Sequence, residues 1–227
     1  MNGVVRWPVA RVGLAALLGA SMAPTPAFAS GGHVHDGLYA RASLGPSWLD
    51  FERNTRQDGA PGTISYAGSD SSVSGVALAA DVMIGGTPFP RVVFAGLLHA
   101  EVLTGARLVT ADGATHPLAG PLVFTLVAPT VDLYTDERSG LHYGLGAGFA
   151  AVTGRFDDPP FRSLAGIGPG FTLHVGYDFW TAPEWSFGLS GRGIFAAVSR
   201  EQSAAGIVGH ERDSVATATV FATLLYQ

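Results

Sequence analysis

The chain has 227 residues, with 13 basic side chains, all of them Arg, against 18 acidic ones, and it carries 31 Gly and no Cys. The acidic balance excludes the basic face a nucleic-acid partner needs, and the lack of Cys excludes disulfide scaffolds and thiol catalysis. Charged residues make up only 14%, which points to a membrane. Yet past the N-terminus no run offers the roughly 18 apolar residues of a spanning helix, and a closed β-barrel is the other way to satisfy every backbone amide in lipid.

Residues 1–29 read as an export signal. Arg6 and Arg11 precede and open an apolar run, "VGLAALLGASM", and "AFAS" supplies small residues for cleavage after Ala29. Residues 30–227 then form a single domain, opening on the polar leader "SGGHVHDG".

Period-two stretches follow in chain order over 37–51, 73–85, 91–104, 122–135, 141–154, 164–179, 185–198 and 214–227. Their connectors fall into two classes. "GGTPFP", "TDERSG" and "WTAPEW" are short, whereas "ERNTRQDGAPGTISYAGSDSS", "GARLVTADGATHPLAG", "RFDDPPFRS" and "REQSAAGIVGHERD" are mostly longer and more polar. Loops that alternate short and long predict an all-β fold, an eight-stranded antiparallel up-and-down transmembrane β-barrel.

The faces of these strands differ sharply. In "LHYGLGAGFAAV", Leu141, Tyr143, Leu145 and Phe149 alternate with His142, Gly144, Gly146 and Gly148. Side chains alternate across a strand, so the bulky set faces lipid and the glycines face a lumen just wide enough to be filled with side chains. Applied to every strand, this parity sends Arg41, Asp81, His99, Glu101, Asp132, His174, Asp178 and Arg192 inward as a polar plug. Unpaired charge is costly there, so at least one lumen Arg is expected to grip a carboxylate with two nitrogens. Trp48, Tyr134, Tyr143, Tyr177, Trp180, Trp185 and Tyr226 are candidates for the membrane-interface girdles, with Tyr134 on the inner parity.

No other chemistry has a full motif. "GLGAGF" and "GIGPGF" lack both the spacing and the following helix of a phosphate loop, and "GHERD" lacks the second His of a zinc-protease helix. His33 and His35 are spaced to share a metal but lie in the solvated leader; Asp157 and Asp158 read as loop acids. His99 with Glu101, and His174 with Asp178, place an acid beside a histidine, yet no serine completes a nucleophile and base. No catalytic residue, cofactor or metal is expected.

The export signal, the opening "HDGLYARASLGPSW", the eight registered strands and the closing "ATVFATLLYQ" together resemble the small outer-membrane β-barrel family, which includes the OmpA transmembrane domain, OmpX and OmpW-like proteins. The resemblance implies the outer membrane of a Gram-negative bacterium, with outer-membrane lipid and the outer-membrane assembly machinery as partners. That machinery reads a C-terminal aromatic residue, and here Tyr226 is penultimate. The expected role is non-enzymatic: structural support, adhesion or surface recognition through long loops that meet an extracellular partner. The alternatives are a lipid-modifying barrel enzyme, a small-solute porin-like channel, and a soluble exported barrel with the opposite polarity.

Overall fold

A computed structural model describes residues 37–56, 71–136, 139–155, 163–204 and 207–227. The export signal, the leader with His33 and His35, the tip of the first long loop, and Asp157 with Asp158 lie outside the described residues, as do the side chains of His210, Glu211 and Arg212 in "GHERD".

The strands are β1 (Gly37–Arg56), β2 (Ser71–Phe89), β3 (Val92–Leu103), β4 (Arg107–Thr110), β5 (Thr115–Pro117), β6 (Leu122–Tyr134), β7 (Leu141–Arg155), β8 (Ser163–Trp180), β9 (Trp185–Ala204) and β10 (Ile207–Tyr226). All neighbours are antiparallel, and β1 pairs with both β2 and β10, so the sheet closes on itself. The result is an eight-stranded barrel of β1–β3 and β6–β10, with β4 and β5 as a side hairpin. Closure leaves no barrel edge with unpaired amides, which is the condition for crossing hydrocarbon.

Two connectors differ from expectation. "GARLVTADGATHPLAG" folds into the β4–β5 hairpin and joins the rim of β2 through Ser71–Thr110 and Ser72–Val109. Its turn is set by Gly113, whose φ of +82° favours glycine, and by Asp112, which accepts hydrogen bonds from Thr110 Oγ1 and the Ala114 amide. Those bonds hold the Asp112 carboxyl below the usual carboxylate range. The last connector is mostly strand: β9 and β10 stay paired from Tyr226–Trp185 up to Ile207–Ala204. Its polar sequence still obeys the ladder because a paired strand above the lipid has no need of apolar side chains.

Prolines lie within four barrel strands, at Pro46, Pro88, Pro129 and Pro169, all on the exterior, and the β2–β3 register shifts across Pro88, between Gly86 and Phe89. Pro lacks an N–H to give to a ladder. The β1–β10, β6–β7 and β8–β9 registers each skip the Pro position and resume unshifted.

Side-chain parity is as expected on every strand. Leu44, Val76, Leu98, Val127, Leu145, Phe171, Leu189 and Val220 are exposed on the outer surface, while Arg41, Asp81, Glu101, Asp132, Asp178 and Arg192 are buried inside. An Arg at the lipid midplane costs about 2–4 kcal/mol in such barrels, so the partition is also the low-energy one. Among the described residues no helix is long and apolar enough to cross a membrane.

Beside the polar plug the interior also holds apolar side chains, which the strand parity did not predict. Leu49, Phe51, Val73, Leu103, Leu108, Leu122, Val152, Leu164, Val198 and Val215 form an apolar cluster toward the long-loop end. The polar groups share the remainder with further buried apolar side chains, among them Met83, Val93, Leu97, Ile194 and Leu225. A lumen packed with apolar side chains near one mouth excludes water there as a soluble core does.

Candidate functional site

Glycines create the polar lumen. Asp132 on β6, Gly144 on β7 and His174 on β8 lie in one row across the sheet. Asp132 and His174 are two strands apart, normally about 10 Å, yet His174 Nε2 lies 3.1 Å from Asp132 Oδ2. They meet over Gly144, where a Cβ would overlap His174 Cε1 and Asp132 Oδ1. One row nearer the short-turn end, His142 pairs with Gly176, where a Cβ would come within 2.6 Å of the His142 ring. The bare face of β7 and β8 is therefore the space occupied by two imidazoles and a carboxylate.

Around this row the charges interlock. Arg41 Nη2 donates to Asp178 Oδ2 at 3.0 Å, and its Nη1 lies 3.6 Å from Asp132 Oδ2. Tyr134 donates to Asp178 at 2.9 Å and Tyr39 to Asp132 at 3.3 Å. His142 Nδ1 is 3.0 Å from the Gly140 carbonyl and 3.3 Å from Asp178 Oδ2. Arg192 joins a second group, with Nε 2.9 Å from Asp81 Oδ2 and Nη1 donating to Thr172 at 3.2 Å.

His99 lies between Asp81 and Glu101, using Nδ1 toward the first and Nε2 toward the second. Phe124 and Phe221 flank its ring edge-on at 6.1 and 6.2 Å. Ser47 donates to Glu101 at 3.0 Å, and Thr219 donates to Ser47 at 2.8 Å. With both ring nitrogens turned to carboxyl groups, His99 has none left to take a proton from a hydroxyl, which a general base must do.

Thus Arg41, Asp81, His99, Glu101, Asp132, His174, Asp178 and Arg192 all reach the lumen, in two connected groups. Neither lumen Arg grips a carboxylate with two nitrogens. The pair that does is Arg53–Asp213 at the long-loop end, with Nε–Oδ1 at 3.0 Å and Nη2–Oδ2 at 2.9 Å. Of the girdle candidates, Trp48, Tyr143 and Trp185 are exposed on the outer wall. Trp185 packs on Tyr226, centroids 5.1 Å apart, and Tyr177 on Phe179 at 4.8 Å; Trp180 is half-buried. Tyr134 is a correction: it points inward and is buried, because its hydroxyl serves Asp178. Tyr39, His142, Ser47 and Thr219 complete the network; the inner parity is their sequence signal.

No protein-family model matches the sequence, and no curated protein is significantly similar to it. Solved structures are. The outer membrane protein OprG from Pseudomonas aeruginosa is 13% identical with a TM-score of 0.50, covering 86% of this chain and 99% of its own. Neisserial surface protein A is 12% identical with a TM-score of 0.41, covering 82% and 96%. The outer membrane protease OmpT from Escherichia coli is 11% identical with a TM-score of 0.43, covering 83% and 96%. Closure, apolar exterior and charged interior define a transmembrane β-barrel. The likeness to OprG agrees with this: the chain has the fold of the small outer-membrane β-barrels.

Proposed function

We propose that the protein resides in the outer membrane of a Gram-negative bacterium as a non-enzymatic barrel. In this reading the apolar belt anchors it in outer-membrane lipid, and the long-loop end recognises an extracellular partner. The observation that carries the reading is the filled lumen: ion pairs link β1 to β8 and β9 to β2, and apolar side chains pack the long-loop mouth. A conducting pore needs a continuous wet path, and an apolar packing layer opposes one. The engagement of both His99 nitrogens, with Ser47 directed to Glu101, speaks against hydrolytic chemistry at the second polar group. Function then falls to the rim, where the β4–β5 hairpin and the extended β9–β10 ladder stand above the membrane belt.

Planar-bilayer recording of the purified, refolded protein tests this. The expected record is flat, with no unitary current steps for small inorganic ions. Reproducible steps that persist across preparations would assign the porin-like alternative instead.

A further inference from the structure

Asp132, His142 and His174 each direct a ligand atom into one volume, with those atoms all within 4.8 Å of one another. All three side chains are buried, and Asp132 Oδ1, His142 Nε2 and His174 Nδ1 have no hydrogen-bond partner. Buried polar groups are nearly always satisfied, so three neighbouring side chains on adjacent strands, each keeping one unpartnered atom, leave a place for a further partner. Charge points the same way: among the described buried side chains, and apart from the Arg53–Asp213 pair, two guanidinium groups face four carboxyl groups.

We propose that Asp132, His142 and His174 form a binding site for one divalent transition-metal ion, joining β6, β7 and β8 inside the barrel. Two imidazoles and one carboxylate suit Zn²⁺ and Co²⁺ better than Ca²⁺ or Mg²⁺, which prefer all-oxygen sets. The surroundings supply what such ligands need. His142 places Nδ1 3.0 Å from the Gly140 carbonyl, the outer contact by which a metal-bound histidine donates its second N–H and presents the other nitrogen. Arg41 is committed to Asp178 at 3.0 Å and is farther from Asp132, at 3.6 Å, which leaves Asp132 Oδ1 for the ion. Tetrahedral donors around zinc stand roughly 3.4 Å apart, so the widest pair, within 4.8 Å, closes by an amount that side-chain torsions provide. Gly144 and Gly176 supply the room. Gly140 lies in the connector between β6 and β7, which sets the site toward the short-turn end.

The test is calorimetric titration of the refolded full chain in detergent with ZnCl₂, repeated with CoCl₂ to read visible ligand-field bands. The expected result is one saturable equivalent with tetrahedral-type Co²⁺ absorption. It is lost in both His142→Gln and His174→Gln, and retained in a His33→Gln/His35→Gln double variant that removes the leader pair. Should a lumen variant fail to refold, imidazole NMR of the unmutated chain decides: Zn²⁺ must shift the His142 and His174 ring signals together and spare His99. No saturable binding, binding abolished only by the leader variant, or ring shifts confined to other histidines overturns the proposal.

Discussion

Gly144→Ala isolates the principle on which the lumen is built. The added methyl overlaps the His174 ring and the Asp132 carboxylate, both buried, so one must leave its place and their 3.1 Å hydrogen bond breaks. Overpacking a filled interior costs about 1–3 kcal/mol, and an unmatched buried hydrogen bond to a charged group about 1.5–3 kcal/mol. The two overlap, giving a loss of about 2–5 kcal/mol. Gly193→Ala is the matched control, since a Cβ added there would stand 3.9 Å from its nearest foreign heavy atom, an ordinary contact. There, the reduced freedom of the unfolded chain makes the change neutral or stabilising by up to about 1 kcal/mol. Equilibrium urea unfolding in lipid vesicles, read by tryptophan emission, compares the two. Equal midpoints for G144A and G193A would refute the view that this glycine row exists to house the imidazole and carboxylate.

Further outcomes follow from the same contacts. Arg192→Met leaves Asp81 without its 2.9 Å partner and is expected to lower unfolding stability by about 3–5 kcal/mol, whereas the double variant Arg192→Met/Asp81→Asn, which removes the charge and keeps an oxygen for His99 Nδ1, recovers part of that loss in the same urea titration. Tyr134→Phe removes the hydroxyl that donates to Asp178 at 2.9 Å and should cost about 1–3 kcal/mol; a girdle residue facing lipid would show a much smaller effect. Leu145→Arg places a charge on the exposed face of β7 and should destabilise by about 2–4 kcal/mol in bilayers, with most of that cost vanishing for an exposed rim position such as Thr115.

Strand order, parity and the inward charges were legible because lipid and lumen impose opposite demands on alternate residues. Leu141 through Phe149 could not be placed otherwise. The two-fold grip was expected of Arg41 or Arg192, but belongs to Arg53, because pairing depends on which side chains the closed cylinder brings together across distant strands. Arg53 and Asp213 are set opposite each other by the β1–β10 seam, which no local pattern announces. The apolar storey did leave a local sign: around Trp48, Leu49 and Phe51 both faces of β1 turn apolar, the mark of a strand packed on two sides. The polar β9–β10 extension carries no such sign, because hydrophobic alternation is absent once a hairpin rises above the membrane.

The polarity of the wall is tested most directly by spin-label accessibility in bilayers. Because the chain has no cysteine, single Cys variants at 76, 78, 80, 82 and 84, the outer face of β2, carry one nitroxide each. All five should collide readily with oxygen, and the nickel chelate should be most strongly excluded at the middle positions. Chelate access as high as that of a label on a soluble protein would contradict the account.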